Sequence, residues 1–212
     1  IPYILISAVL LAVYDTAKKH SVRANAVMPV LVLGTAAGAL FFALALAATG
    51  RLRDALVISY ADFGLVAIKA VIVSGSWIFV YYAMRALPLS IVAPIRASSP
   101  LWTLAGAMLL FHEIPTPLQA LGMVVILVGY WLFSVAGQAE GIRFTRHPGV
   151  FCAFAGTLLG AGSALYDKYL LQTCGLERNT MQLWFAIDLT LLLGATLCVQ
   201  RAAGLQRTRF EW

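Results

Sequence analysis

The sequence predicts an all-α integral membrane protein, built as a multi-helix bundle of about seven transmembrane helices. Apolar residues make up 61% of the chain and charged residues only 11%, whereas soluble domains are roughly 45–50% apolar and about 25% charged. The mean hydropathy of +0.87 exceeds what a soluble core can bury, but a lipid bilayer accommodates such a surface. A repeated Tyr-Asp pattern indicates in addition that the bundle contains a duplicated unit.

Seven apolar segments account for most of the chain. Each has about the 20 residues that a helix needs to cross a bilayer, and short polar connections separate them. At the start of the fifth segment, residues 116–119 read Thr-Pro-Leu-Gln, a capping box with proline at the first helical position. The predicted segments run over residues 2–22, 26–49, 62–86, 88–111, 117–137, 149–171 and 179–200.

Two faces of small residues predict close packing between helices. Gly34 and Gly38 form one face, and Gly156 and Gly160 form the other. The four-residue spacing lets two backbones approach closely. Packing within one chain is the ordinary use of such a face, and homodimerisation is the alternative.

The first and sixth segments end in the same pattern. Tyr-Asp at residues 14–15 closes one apolar run, with Lys18 nearby, and Tyr-Asp at residues 166–167 closes the other, followed by Lys168. The two copies are 152 residues apart, with five apolar segments from the first start to the second. An odd number of crossings inverts the second copy, and inverted repeats are typical of secondary transporters. The expected repeats are a first five-helix unit over residues 1–137 and the start of a second, inverted unit over residues 149–212.

The stretch over residues 87–137 carries the most specific pattern in the chain. A helix containing Pro94 is followed by a small gap, Glu113, a short turn and a Gln-x-x-Gly helix that begins near Gln119. This pattern resembles the drug/metabolite transporter superfamily, specifically its EamA-like domain. The Tyr-Asp and lysine pattern of the first and sixth segments fits the same superfamily more loosely.

The resemblance implies ten helices in two inverted five-helix repeats, a central substrate cavity, and alternating access rather than an enzymatic reaction. The chain reaches Trp212 after seven apparent segments, so we expect a C-terminally truncated member of this superfamily. On this interpretation the protein is a secondary-active transporter that exports a small metabolite or an amino acid. A non-transporting membrane scaffold, or a receptor-like seven-helix protein, is the alternative.

Arg96 is the strongest candidate for binding a substrate, because ionisable side chains at membrane depth usually face a cavity or a partner. It lies beside Ser98 and Ser99, between Pro94 and Pro100, and two prolines so close together are expected to bend or unwind the helix. The planar guanidinium suits a carboxylate or phosphate group. A structural bond from Arg96 to backbone carbonyls freed by the prolines is the alternative.

Three further residues of the first repeat are assigned to substrate binding. Asp15 and Lys18 are three residues apart on one helix, which permits an intrahelical ion pair of purely structural value. Lys18 also lies near enough to a helix end to extend its ammonium to the lipid headgroups. Lys69 lies about a third of the way into the third segment.

Three residues of the second repeat are assigned to ion coupling or to a polar cavity. Asp167 and Lys168 are adjacent and point to different faces of their helix. Asp188 lies near the centre of the seventh segment, where it is expected to carry a coupling proton or to bond a partner on another helix. Glu113, in the turn after the fourth segment, is expected to bond backbone amides at the next helix start.

No pattern in the sequence predicts an enzyme, a cofactor or a metal site. The three histidines lie near segment ends or in connections, and the three cysteines have no framework spacing. The chain contains no GxSxG, P-loop or HExxH motif. The seventh segment has no lysine that could form a Schiff base, which argues against a retinal protein.

The expected partners are the lipid bilayer and a small-molecule substrate, and the expected location is a bacterial inner membrane. The net charge of +6 comes mainly from arginines between the segments, so it concerns membrane orientation and not nucleic acid binding. Nine basic residues on one side against four on the other place the start of the chain outside. The resemblance places the start in the cytoplasm, which is the orientation that we favour.

Overall fold

The computed structural model describes residues 2–139 and 147–204, which are almost entirely helical. The predicted segments correspond to helices, with three differences: a short extra helix follows the second segment, the fourth segment is divided in two, and the sixth ends in a π-helical turn. Residues 205–212 of the expected second repeat lie outside the described residues. The described elements are α1 (Pro2–Ala24), α2 (Val27–Ala48), α3 (Leu52–Leu56), α4 (Tyr60–Ala86), α5 (Leu89–Ala97), α6 (Ser99–Phe111), α7 (Pro117–Ala139), α8 (Pro148–Lys168), the π-helical turn (Tyr169–Thr173) and α9 (Arg178–Ala202).

Four of the described helices are both long and apolar enough to cross a membrane. They are α2, α4, α8 together with its π-helical turn, and α9. The described apolar part of α7, Pro117–Gly129, is shorter. Large apolar side chains face outward, for example Phe41 at 74% exposed and Leu109 at 77%, as expected for a surface that contacts lipid. The prediction of an all-helical integral membrane protein is confirmed, with four candidate spans among the described residues where the sequence predicted about seven.

Helix α4 lies at the centre of the bundle and packs against α1, α2, α8 and α9. Val66, Ala70 and Met84 of α4 have no exposed surface. Their surroundings include Met28 of α2 and Leu193 of α9, which are buried to the same extent. Because lipid tails are as apolar as these side chains, helix association in a membrane depends on close van der Waals packing and on hydrogen bonds between helices.

Helices α4 and α8 approach each other closely at Gly156. A Cβ atom on this residue would lie 2.7 Å from Val80 Cγ2 and 2.9 Å from the Ser76 carbonyl oxygen, too close for either contact. The Ser76 hydroxyl donates a hydrogen bond of 2.7 Å to the Gly156 carbonyl oxygen. Gly160 also faces Ser76, so the face formed by Gly156 and Gly160 packs within the chain.

The glycine face of α2 has a different environment. Apart from their chain neighbours and the backbone of α2 itself, no atom of the described residues lies within 4 Å of a Cβ built on Gly34 or Gly38, and both residues are exposed. This face therefore borders open space, and homodimerisation through it stays a prediction.

The fourth predicted segment is interrupted at Ser98, where α5 ends and α6 begins. Pro100 has no N–H group to donate to the Arg96 carbonyl oxygen, as the residue at this position of an unbroken helix would. The Leu101 N–H donates instead to the Ser98 carbonyl oxygen over 2.9 Å, which is a tighter turn than that of an α-helix. The interruption lies between Pro94 and Pro100, the interval in which the sequence predicted a bend or an unwound turn.

The turn between α6 and α7 contains the predicted capping box. The Thr116 N–H donates to Gln119 Oε1 over 2.8 Å, and the Gln119 N–H donates to Thr116 Oγ1 over 3.3 Å. Two backbone N–H groups at the start of α7 are thereby paired with side-chain oxygens. The predicted start of the fifth segment is confirmed.

Contacts between helix termini define the two ends of the bundle. At one end, the Lys19 ammonium donates to the Leu87 carbonyl oxygen over 2.7 Å, and Gly149, at the start of α8, packs against Leu87. At the other end of α8, Lys168 pairs with Glu113, just after α6. The ends of α1 and α4 therefore lie beside the start of α8, and the end of α6 lies beside the end of α8.

Candidate functional site

A polar cavity of 190 Å³ lies between α1, α4, α8 and the α5–α6 junction. Its wall contains two cationic side chains, those of Lys18 and Arg96, together with Ser99. These three residues were assigned to substrate binding from the sequence, and the structure brings them together. The remaining wall residues are Ser76, Trp77, Val80, Tyr81, Gly156, Thr157 and Gly160.

Arg96 forms a partly buried ion pair with Asp15. The guanidinium Nη1 donates to Asp15 Oδ2 over 2.6 Å, and the two side chains are 27% and 16% exposed. The other carboxylate oxygen of Asp15 is enclosed and has no hydrogen-bond partner. This pair connects α1 to α5 across 81 residues of sequence, whereas the sequence had suggested backbone carbonyls as the structural partner of Arg96.

Lys18 lies inside the bundle, where aromatic rings surround its ammonium group. The residue is 8% exposed, and Nζ lies 3.8 Å from the ring centroid of Tyr14 and 5.2 Å from those of Trp77 and Tyr81. Two alternatives for Lys18 are not what the structure shows. The carboxylate three residues away is bound to Arg96, and the Lys18 ammonium lies among aromatic rings in the protein interior.

Ser98 stabilises the helix break and does not line the polar cavity. It is 2% exposed, its hydroxyl donates to the Ile95 carbonyl oxygen over 2.6 Å, and the same hydroxyl accepts from Trp102 Nε1 over 3.1 Å. Both bonds are local to the α5–α6 junction. The binding role assigned to Ser98 and Ser99 from the sequence stays a prediction; Ser99 lines the cavity, whereas Ser98 does not.

A second buried ion pair joins α4 to α8. Lys69 Nζ lies 2.8 Å from Asp167 Oδ1, in a contact without hydrogen-bond geometry, and 4.2 Å from the ring centroid of Phe185. The Lys69 side chain is 4% exposed and that of Asp167 is 35% exposed. The sequence assigned these residues to different roles, but the structure pairs them, and neither lines the polar cavity. The π-helical turn begins at Tyr169, two residues after Asp167, and such turns are frequent at functional sites.

A third ion pair, between Lys168 and Glu113, lies at the end of the bundle. The Lys168 ammonium also lies 4.8 Å from the Phe111 ring centroid. Glu113 was expected to bond backbone amides at the start of the next helix, but Gln119 takes that role in the capping box. The side chains of this pair are 25% and 48% exposed, and both residues border a larger cavity of 660 Å³ between α6, α7 and α8.

Asp188 is buried in α9 without a cationic partner among the described residues. It is 7% exposed, and its Oδ2 atom accepts no hydrogen bond. One turn earlier, Trp184 Nε1 also lacks a partner, and the indole ring packs edge-on against Phe63 at 5.5 Å. Because an uncompensated buried carboxylate is costly, Asp188 is retained as a candidate coupling residue.

An apolar cavity of 360 Å³ lies beside the aromatic rings around Lys18. Trp77 and Tyr81 line both this cavity and the polar one. Helix α2 contributes Gly34 and Gly38, whose lack of side chains leaves this space open. The remaining wall residues are Tyr14, Leu31, Thr35, Ala39, Phe41, Phe42, Gln182, Phe185, Ala186 and Leu189.

The aromatic residues around Lys18 were not predicted from the sequence as site residues. Trp77 and Tyr81 are four residues apart, and this spacing places them on one face of α4. Trp and Tyr are also enriched in aromatic belts at the membrane interface, so the sequence signal does not distinguish the two roles. No group of three or more potential metal-binding side chains occurs in the part of the chain that the structure describes.

Replacing Asp167 with asparagine is expected to destabilise the protein, because Lys69 then stays buried without its carboxylate. Removing one partner of a fully buried pair costs about 3–5 kcal/mol, and the partial exposure of Asp167 reduces the expected loss to about 2–3 kcal/mol. The control Lys168→Gln breaks the neighbouring, more exposed pair and is expected to cost less than about 1 kcal/mol. Thermal melting in detergent compares the two variants, and equal melting temperatures would contradict the structural role of the Lys69–Asp167 pair.

Comparison with known protein families assigns the chain to one of them. Residues 1–135 match the EamA-like transporter family, and the matched region includes Asp15, Lys18, Lys69 and Arg96. Comparison with curated proteins found no match. The family consists of membrane transporters of the drug/metabolite type, which are generally not enzymes. With more than half of its length matched and its apolar helices long enough to span a bilayer, the chain belongs to the EamA-like transporter family.

Proposed function

We propose that the protein is a secondary-active transporter that moves a small metabolite by alternating access, with the polar cavity as part of its substrate site. The observation that carries the proposal is the environment of Lys18, a buried cation whose described contacts are aromatic rings and which borders a cavity beside Arg96. Ionisable side chains in membrane helices are costly and mark substrate or ion pathways. A negatively charged substrate group compensates the charge of Lys18, which gives this buried lysine a role in substrate binding.

Interrupted helices support the alternating-access part of the proposal. The break at Ser98 separates α5, which carries Arg96, from α6, and the π-helical turn ends α8 just after Asp167. Discontinuous helices form the substrate sites of many secondary transporters, which alternate between two orientations by movement of one repeat against the other. We propose these two interruptions as the positions at which the helices bend.

Export as the direction of transport and a bacterial inner membrane as the location are further parts of the proposal. Inverted inner-membrane vesicles test the direction, because export from the cell becomes uptake into the vesicle. The expected result is saturable uptake of at least one solute from a panel of radiolabelled metabolites and amino acids. A non-transporting scaffold predicts no uptake of any solute above that of vesicles without the protein.

Replacing Arg96 with leucine is expected to reduce this uptake by about thirtyfold or more, the cost of truncating one partner of a buried charged contact. The variant Arg96→Lys keeps the charge without the planar fork and is expected to retain partial activity. The same assay at equal membrane abundance compares these variants with Arg85→Gln, which removes an exposed arginine outside the cavity.

Because Arg96→Leu leaves Asp15 without its cation, the double variant Asp15→Asn, Arg96→Leu serves as a second test that preserves electroneutrality. Loss of uptake in both variants, with normal insertion in the membrane, agrees with a binding role. Normal uptake in either variant would reject that role and leave Arg96 with a structural one.

Asp188 is proposed as the residue that couples transport to protons, because it is buried and has no cationic partner among the described residues. Asp188→Asn is expected to abolish accumulation driven by a pH gradient while exchange of labelled for unlabelled substrate continues. Vesicles with an imposed pH gradient measure the first activity, and preloaded vesicles measure the second. Asp54→Asn, an exposed carboxylate in α3, is the control, and unchanged gradient-driven accumulation in the Asp188 variant would refute the coupling role.

We also propose the inverted-repeat arrangement, in which the pair α1–α2 and the pair α8–α9 enter the membrane from opposite sides. The contacts between helix termini support it, since Arg51, just after α2, lies close enough to act electrostatically on Glu177, just before α9. With Cys152, Cys174 and Cys198 replaced by serine, single cysteines in place of Arg51 and Ala203, both exposed, report on which side of the membrane each helix pair ends. An impermeant thiol reagent is expected to label them from opposite sides of the membrane, and labelling from the same side would contradict the inversion.

A further inference from the structure

Charge is not balanced around the polar cavity. Arg96 and Asp15 are the charged groups whose fields act on Lys18, so two cations face one carboxylate. Asp15 is already paired with Arg96 and is not part of the cavity wall. A ligand with a single negative charge would make this group of residues neutral, and electrostatic interactions are strong in a site of low dielectric constant.

We propose that the substrate is a small monocarboxylate with an apolar body, whose carboxylate binds between Lys18 and Arg96 and whose apolar part occupies the neighbouring cavity. Because this inference rests on the proposed function of the same cavity, its test must separate the nature of the ligand from the location of the site.

The hydrogen-bonding groups of the polar cavity favour a ligand group that accepts hydrogen bonds. The Ser76 hydroxyl donates to the Gly156 carbonyl oxygen over 2.7 Å, and the Thr157 hydroxyl donates to the Ala153 carbonyl oxygen over 2.7 Å. Lys18 and Arg96 offer further N–H donors in the wall, since an ammonium has three and a guanidinium has five, of which Arg96 gives one to Asp15. A carboxylate accepts from both, and its bidentate contact with a guanidinium is among the strongest in proteins.

The apolar cavity provides space for the remainder of the ligand. It measures 360 Å³, and no charged side chain is among the described residues of its wall. Its one threonine, Thr35, donates its hydroxyl to the Leu31 carbonyl oxygen over 3.0 Å. A dry apolar cavity of about 150 Å³ holds benzene in another protein, so this cavity is large enough for a phenyl ring or a branched aliphatic group. Trp77 and Tyr81, which line both cavities, are in position to contact the junction between the head and the body of the ligand.

Four small molecules separate the features of this proposal. The probe is 3-phenylpropionate, and its comparators are 3-phenylpropanamide, L-phenylalanine and propionate. Equilibrium binding to the full chain in nanodiscs is measured for each, with radiolabelled 3-phenylpropionate displaced by the others. The amide lacks the charge, phenylalanine adds an ammonium that brings a third cation to the site, and propionate lacks the ring.

We expect 3-phenylpropionate to bind at least about tenfold more tightly than the amide or phenylalanine. This difference in affinity is the one expected from the loss of one charge-assisted contact. Propionate is expected to bind roughly tenfold or more weakly as well, because it leaves the apolar cavity unfilled. Equal affinity for the acid and the amide, or tighter binding of phenylalanine, overturns the monocarboxylate assignment. Equal affinity for the two acids overturns the role of the apolar cavity. These comparisons use the unaltered protein, so they do not depend on the folding of a variant.

Variants locate the site independently of the ligand class. Lys18→Gln is expected to weaken binding of 3-phenylpropionate about tenfold or more, whereas Arg85→Gln, outside both cavities, is expected to leave it unchanged. Gly38→Leu places a side chain in the apolar cavity and is expected to weaken the phenyl acid more than propionate. If Lys18→Gln weakens the acid and the amide equally, the ligand class is wrong but the site is retained. If it leaves binding of 3-phenylpropionate unchanged, both the ligand assignment and the proposed substrate site are rejected.

Discussion

The close approach of α4 and α8 at Gly156 determines the dimensions of the site. The hydrogen bond from Ser76 to the Gly156 carbonyl oxygen joins two residues that both line the polar cavity, and Trp77 and Thr157 follow them in sequence along the same wall. In lipid, helices associate through close packing and hydrogen bonds more than through burial from water. One contact that depends on a glycine therefore contributes both to the stability of the bundle and to the width of the cavity.

The buried cations differ in how the protein compensates their charge. Lys69 has Asp167 and a phenylalanine ring, and Arg96 has Asp15. Lys18 has three aromatic rings, which contribute about 2 kcal/mol when the cation is desolvated, less than an ion pair at low dielectric constant. Of these three cations, Lys18 is therefore the one whose charge the described contacts compensate least.

The parts of the fold that were predicted from the sequence are those that residues close together in the chain determine. The interruption at Ser98 follows from the missing N–H group and the ring of proline, and Arg96 was found because it lies within that interval. The ion-pair partners could not be predicted in this way. Asp15 and Arg96 are 81 residues apart, whereas a pairing of Asp15 with Lys18 was considered only because residues three apart are neighbours on a helix.

By itself the sequence determined the membrane class, the start of α7 and the relation to EamA-like transporters, because apolar content, capping residues and motif spacing are all local properties of the chain. The tertiary structure alone decided that Lys18 lies among aromatic rings, that Ser98 stabilises a helix break, and that Glu113 pairs with Lys168. The physical reason is that the burial and the partners of a side chain depend on which helix faces meet. That choice is made by packing between segments distant in sequence.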